Sequence, residues 1–498
     1  MMRKYFLKKI VMPLSLRMSS NKGWRYYNDY IRADFEPIET RRARQWQRVL
    51  SLVNHAYHHV PFYRKKYDQA GIKPEHIKCE ADFRKLPVIT KKDLRENFPR
   101  NTVADNYPLE RMRYSNTSGT TGASLILVHD HDDINHKYAS KLRSWHLMGC
   151  DLGDTVVRIT PNECQPCLPT GESPDIPLLK YLKMVLSRHK HARQAYYIFV
   201  ERHITNRLLN NRRFPPPLNP DFSDKDLWDY IRVVQEFKPD FISGYPLYLY
   251  WLAHRIQKDR ISIPPLKGLD LTAGLSFPGM RQFISEQFRA PVFQNYGGCE
   301  LGRVASSCPM SNGQMHVLED HCYMEFIRAN GDPARPGELA NIIMTALNSY
   351  GMPFIRYEHG DVGSFADDPC PCRRTSCLMR VAGRLQDLIM TADGHAIPSH
   401  EILELSLSHP GIKLFQLIQR APDQFDFKFV PDALPQETDL DGLRDKLKHV
   451  LGPGADIRFQ AVDYIRTASS GKYHLVRSST FEPFRCVSDP KKPLGDSW

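Results

Sequence analysis

From about residue 112 onward the chain alternates short β-rich runs with glycine turns and helical stretches, and this alternation constrains its fold more than any other feature. The runs are LILV at 125–128, TVVRIT at 155–160, DFISGY at 240–245 and APVFQNYG at 290–297. Strand and helix signals taking turns imply an α/β core. Between about 320 and 366 the pattern becomes strands joined by Gly and Pro turns (CYMEFIRANGD, ELANIIMTAL, PFIRYEHGDVGSF). Residues 1–110 read as mainly helical. RRARQWQRVLSLVNHAY over 41–57 sets Trp46, Val49, Leu50, Val53 and Ala56 at helical spacing until Pro61 stops it, and Thr90 in LPVITKKDLREN is placed as a helix N-cap. After Gly383, KLFQLIQ, DQFDFKFV and DIRFQAV predict strands and Leu440 to Leu451 an amphipathic helix, together a small α+β module. The expected division is a large domain over 1–384 and a small one over 385–498, with no internal repeat.

A chain of 498 residues exceeds what one compact core ordinarily holds. Its 41% hydrophobic and 25% charged residues exclude a disordered chain. The net charge of +12 favours anionic partners, among which nucleotides, coenzyme A, anionic lipid and nucleic acid all qualify. The basic stretch between Arg188 and Arg213 carries no nucleic-acid recognition motif and reads as solvated surface, so nucleic acid is not an expected partner. Eleven cysteines in so long a chain are not a disulfide scaffold, and reduced thiols or metal ligands in the cytoplasm are expected. Cys164 and Cys167 have redox-like spacing without a surrounding thioredoxin pattern and read as a loop. The N-terminus begins like a signal peptide, but Lys8 and Lys9 interrupt it and no small-residue cleavage site follows. Its first 17 residues could instead lie on the inner face of a membrane as a basic amphipathic segment. The apolar stretch from Phe241 to Ala253 is too short to span a bilayer.

The strongest local motif is NTSGTTG, Asn116 to Gly122. Gly119 and Gly122 let the backbone come close to a ligand, while Ser118, Thr120 and Thr121 offer donors to phosphate oxygens. The motif lacks the Gly-Lys-Ser/Thr ending of a Walker loop, and taken alone such a run is more often a simple loop. Four more stretches follow: YGGCE (Tyr296 to Glu300), RYEHGD (Arg356 to Asp361), GRLQD (Gly383 to Asp387) and SGK (Ser470 to Lys472). In this order they resemble the adenylate-forming superfamily, with its phosphate loop, aromatic motif, ribose-binding Asp, hinge and C-terminal lysine loop. VPFYRKKYDQAG at 60–71, LPVITKKDLREN at 86–97, ISGYPLYLYWLA at 242–253 and MHVLEDH at 315–321 are similar to its phenylacetate–CoA ligase branch, including relatives linked to capsule and surface-polysaccharide synthesis.

The resemblance implies an α/β adenylate-forming domain with mixed sheets and a mobile α+β lid. It implies ATP, Mg²⁺ and a small-molecule carboxylic acid as ligands, with acyl-AMP formed first and coenzyme A the leading acceptor. An amine or hydroxyl acceptor in surface-polysaccharide synthesis and an inactive membrane-peripheral scaffold are the alternatives, and a homodimer is compatible with either. By the family's pattern Lys472, Glu300 and Thr120 would be catalytic, with Glu300 also holding Mg²⁺, a hard ion suited to one or two carboxylates and phosphate oxygens. Ser118, Gly119, Thr121 and Gly122 would hold phosphate; Ala273, Gly274, Tyr296 and Gly297 would flank adenine; Asp361 and Arg384 would meet the ribose. Two departures stand out: the phosphate loop runs on into Ala-Ser-Leu-Ile rather than Pro-Lys-Gly, and Gln386 replaces a common hinge Asp. Cys308, His316, Cys370 and Cys372 are similar in placement to residues of some relatives that suggest a structural Zn²⁺, with Cys377 as a substitute ligand and ordinary thiols as the other reading.

Overall fold

The computed structural model describes residues 22–117, 125–159, 211–214, 224–391, 393–432, 438–466 and 473–478, together with Phe6 and Ile10. The N-terminal region is helical, as its spacing predicts: α1 (Gly23–Ala33), α2 (Ile38–His59), α3 (Pro61–Gln69) and α4 (Lys91–Asn97). Pro61 ends one helix and opens the next at its first position, where a missing N–H costs nothing. Thr90 caps α4 through a capping box, its Oγ1 accepting from the Asp93 N–H and the Asp93 carboxylate from the Thr90 N–H.

On α2 the buried positions are Val49, Leu52, Val53 and Ala56, with Trp46 and Leu50 half-buried beside them. Arg41 at the start of this face is also buried, its charge met by Glu319 at 2.6 Å and by Thr375. A periodicity of apolar residues gives no sign of such a pair, because an arginine reads as surface until its partner is known.

An antiparallel hairpin, β1 (Arg113–Asn116) and β2 (Ile126–His129), leads through α5 (His131–Leu147) to the main sheet. There β3 (Val156–Ile159), β4 (Asn211–Phe214), β5 (Phe241–Gly244), β6 (Gly268–Thr272) and β7 (Val292–Gly298) run parallel, with α6 (Asp224–Phe237), α7 (Pro246–Lys258) and α8 (Pro278–Phe288) between them. The strands β8 (Gly302–Ser306), β9 (Met315–Val317), β10 (Cys322–Ile327), β11 (Ala340–Ala346), β12 (Tyr357–Ala366) and β13 (Leu378–Arg384) continue the sheet antiparallel. The spatial order is β10-β11-β12-β13-β9-β8-β7-β6-β5-β3-β4. The parallel half is the part whose sequence reads as short continuous apolar runs, as strands covered on both faces require.

A small hairpin, β14 (Ile389–Met390) and β15 (Ala396–Ile397), opens the C-terminal region. Beyond it α9 (Ser399–Leu407) and α10 (Leu440–Leu451) accompany a sheet ordered β18-β17-β16-β19, built from β16 (Ile412–Ala421), β17 (Gln424–Pro431), β18 (Asp456–Ala461) and β19 (Val476–Ser478). The strand and helix expectations after Gly383 match these elements. One apolar core joins α6, α7 and α8 to the C-terminal sheet, so the two regions pack directly on each other. Among the described residues no helix is long and apolar enough to cross a membrane.

Candidate active site

The carboxyl ends of β5, β6 and β7 open onto a cavity of about 230 Å³, where ligands of open α/β sheets ordinarily bind. Tyr245 and Pro246 follow β5, Ala273 and Gly274 follow β6, and Tyr296 and Gly297 lie on β7; all line the cavity. Ala273 adopts a left-handed backbone (φ +59°), uncommon for a residue with a Cβ and a mark of functional turns. A Cβ on Gly274 would come within 2.9 Å of the Pro246 ring, so only glycine lets these two turns meet.

The opposite wall comes from β12 and the end of β13. Tyr357, His359 and Asp361 converge here although β12 bulges against β11 between Glu358 and Val362 and Gly360 turns left-handed (φ +84°). Asp361 accepts hydrogen bonds from Tyr296 Oη (2.8 Å) and His359 Nδ1 (2.5 Å), and its second oxygen meets Arg384 Nε at 2.9 Å. Burial opposes its charge, but Arg384 and His359 outweigh burial and hold the carboxyl well below the ordinary range. Glu300, buried at the end of the YGGCE turn, accepts from Tyr357 Oη at 3.1 Å and lies 3.7 Å from His359 Nε2. Burial pushes its carboxyl up, yet the neighbouring His359 and Lys91 bring it down to about 2, so it is an anion at neutral pH. His359 responds in kind: burial works against its charge, and the two carboxylates raise it to about 9.

Lys91 reaches this group from the first turn of α4. The preceding Ile89 forms a parallel bridge to Tyr357, donating to the Arg356 carbonyl at 2.9 Å and accepting from the Glu358 N–H at 2.9 Å. That zipper brings the start of α4 beside Glu300. Burial lowers the Lys91 pKa, while Glu300 pulls it up.

The C-terminal region closes the cavity with Gln386, Asp387, Ser399, Leu403 and the segment Tyr473 to Val476. Ala273, Gly274, Tyr296, Gly297, Asp361 and Arg384 therefore surround one space, with Glu300 one hydrogen-bonding residue away. Ser118, Gly119, Thr120, Thr121, Gly122 and Lys472 lie outside the described residues, as do Cys164 and Cys167. His359 and Lys91 are site residues that the motif comparison passes over. His359 stands inside RYEHGD, where the left-handed Gly360 and the bulge in β12 bring it beside Asp361. Lys91 lies in LPVITKKDLREN, where the helix-start signal hides the side chain's destination.

A second cluster lies apart from the cavity lining. Cys308 Sγ and Cys370 Sγ are 3.7 Å apart, and Cys372 Sγ and His316 Nε2 are 3.4 Å apart. All four ligand atoms lie within 4.8 Å of one another. Bonds of about 2.3 Å from zinc to sulfur give a tetrahedral edge of about 3.8 Å, so the spacing suits Zn²⁺. His316 Nδ1 is engaged with Ser376 Oγ at 2.9 Å, which leaves Nε2 toward the cysteines. Burial, with Arg374 nearby, lowers His316 to about 4 and keeps it neutral, the form that ligates metal. Cys377 is not in this set; its thiol turns to the Leu378 carbonyl instead.

Residues 389–479 match the model of the CapK C-terminal domain. The chain is 26% identical to the phenylacetate-coenzyme A ligase of Escherichia coli (strain K12) over 381 residues, covering 73% of this chain and 77% of that one. It is 20% identical to the protein CapK of Staphylococcus aureus over 445 residues, covering 86% and 87%. Among solved structures, 2-hydroxyisobutyryl-CoA ligase in its postadenylation state superposes with a TM-score of 0.69 at 22% identity, over 90% of this chain and 92% of that one. Over most of its length the chain is thus similar to phenylacetate-coenzyme A ligases and to CapK, and it has the fold of the solved 2-hydroxyisobutyryl-CoA ligase.

Proposed function

We propose that this protein activates a carboxylic acid with ATP and passes the acyl group to coenzyme A. The observation that carries this is the single cavity shared by Tyr296, Asp361, Arg384 and the Ala273-Gly274 turn, closed by the segment that begins just after Lys472. In the first half-reaction a carboxylate oxygen bonds to the α-phosphorus of ATP, and the bond to pyrophosphate breaks. In the second the coenzyme thiolate bonds to the acyl carbon and AMP leaves with the electron pair. Both reactants of the first step are anions, so held counter-charges must bring them together.

Each residue has a part in that task. Tyr296 offers a ring face to adenine, and the turn beside it admits the base. Asp361 and Arg384 meet the ribose; because Asp361 already accepts from Tyr296, His359 and Arg384, it has little capacity left and its ribose contact would be a single strong one. Glu300 is buried, anionic and beside the nucleotide cavity, which suits Mg²⁺; bound there, the metal would supply charge neutralisation at the phosphates. Lys91 brings a cation from the N-terminal side toward the same phosphates, and Lys472 one from the lid over residues 385–498. The loop 118–122 completes the phosphate cradle. Cys308, His316, Cys370 and Cys372 bind a structural Zn²⁺ that takes no part in the chemistry.

A second acceptor class, a hydroxyl or amine of a sugar or amino-acid derivative, is the alternative implied by the resemblance to relatives linked to surface-polysaccharide synthesis. Mass spectrometry of the products formed from ATP, Mg²⁺ and a panel of carboxylic acids, with and without coenzyme A, separates the outcomes. An acyl-CoA supports the first acceptor, and acyl-AMP that accumulates unchanged in the presence of coenzyme A supports the second. Absence of any adenylate across the panel contradicts the function itself.

A further inference from the structure

The histidine between the two carboxylates is held more tightly at one end than at the other. His359 Nδ1 is committed to Asp361 at 2.5 Å, and the edges of Tyr296 and Tyr357, each with its ring centre 6.2 Å away, fix the plane of the imidazole. Its Nε2 stands 3.7 Å from Glu300, an ion-pair contact longer than a hydrogen bond. The chain keeps space open at this atom: a Cβ on Gly298 would fall 2.6 Å from His359 Nε2 and 2.9 Å from Glu300 Oε2. His359 also lines the nucleotide cavity, hydrogen-bonded to Asp361.

We propose that His359 is a nucleotide-contacting residue whose Nε2–H donates to the phosphate nearest the ribose. The proposal rests on the adenylate-forming function given above and adds a donor to it. The geometry follows from what flanks the ring. One end holds the carboxylate that meets the ribose, and the other faces the carboxylate suited to the metal on the phosphates. The group that lies between ribose and metal in any such nucleotide is the α-phosphate. The strand that delivers Asp361 to the sugar therefore delivers His359, hydrogen-bonded beside it, one step along the nucleotide.

The two ring nitrogens can be replaced separately. An asparagine amide reproduces Nδ1 and a glutamine amide reproduces Nε2, so His359→Asn keeps the bond to Asp361 and loses the reach to phosphate, whereas His359→Gln keeps the reach. The experiment is calorimetric titration of AMP, without Mg²⁺, into the purified full-length native protein and the Ala, Asn and Gln variants, with adenosine as a second titrant. Melting temperatures identify variants that fail to fold. AMP affinity is expected to fall by about tenfold or more in His359→Ala and His359→Asn, the scale of a lost hydrogen bond to a charged group, and to recover in His359→Gln. Adenosine, which lacks the phosphate, is expected to bind the native protein and His359→Asn alike. Recovery of AMP binding by asparagine and not by glutamine would overturn the proposal and leave His359 as a positioning residue for Asp361. Native-like AMP binding by His359→Ala would overturn it outright. A native protein that binds neither AMP nor ATP would instead remove the adenylate-forming function, and the proposal with it.

Discussion

Asp387 sits just after β13, where the C-terminal region begins, and lines the cavity. Burial raises its carboxyl to about 7, against the pull of Arg384 and Arg477. A carboxyl raised on folding contributes its stability in full below its ordinary pKa of about 4, and that contribution is lost as the pH climbs toward 7. The buried His136, His316 and His321, whose pKa values are lowered, pull the other way over the same range, so the test is the difference between two proteins: between about pH 4 and 7 the native protein should lose stability relative to Asp387→Asn. Identical slopes for the two proteins would show that this carboxyl is solvated in the folded state. His359 and Lys91 make a related point about what a sequence displays. Motif spacing singles out Asp361, Glu300 and Arg384, which stand within stretches of fixed pattern. It passes over His359 and Lys91, since a Lys or His gives no local signal of where its end will lie. Arg41 is the same case in the core: its partner Glu319 is far along the chain, and only the fold joins them.

Among the elements, α7 makes hydrogen bonds and a ring contact to the C-terminal region. Trp251 donates to the Lys413 carbonyl at 3.2 Å, its ring meets that of Tyr473 edge-on at 5.5 Å, and Tyr250 donates to the Leu407 carbonyl at 3.1 Å. The same helix begins at Tyr245 and Pro246, which line the cavity, so docking of the C-terminal sheet and the shape of the site are read by one rigid element. Removing a buried tryptophan costs on the order of 3–5 kcal/mol. Trp251→Ala should loosen the docked arrangement, seen as faster proteolysis near residues 384–399 with little change in the N-terminal helices. Equal cleavage of variant and native protein would contradict the docking role. Strand β9 and the turn after Cys370 form the second element-scale case. The tetrahedral spacing of Cys308, His316, Cys370 and Cys372 predicts about one Zn²⁺ per chain by elemental analysis. Stripping the ion, or His316→Ala, should lower the melting temperature by several degrees, because binding to the folded form alone stabilises it. A preparation with no zinc and no response to a strong chelator would show these to be ordinary thiols.

Over the whole molecule, the fold-determining signals stand along the chain in the order its elements take. The continuous apolar runs DFISGY and APVFQNYG become β5 and β7 of the parallel half, and the Gly- and Pro-punctuated stretch after 320 becomes the antiparallel half. The helix over 440–451 and the strands around it are equally legible, since each has a clean period and a turn at either end. What periodicity cannot supply is the arrangement: the single eleven-stranded sheet, and the shared apolar core between α6, α7, α8 and the C-terminal sheet. Those depend on contacts between residues hundreds of positions apart, which no window of sequence contains. The proposed adenylation belongs to this scale too, because the residues assigned to it come from stretches far apart along the chain.

Isotope exchange between pyrophosphate and ATP tests that claim most directly, because it requires the phosphate loop, Glu300, Asp361 and Lys472 to act on one bound molecule. With a panel of carboxylic acids and Mg²⁺, the native protein should catalyse exchange that depends on the acid, and Lys472→Ala should reduce it by two or more orders of magnitude (~10²-fold) while leaving the melting temperature unchanged. Exchange that proceeds equally without Lys472, or no exchange with any acid, would contradict it.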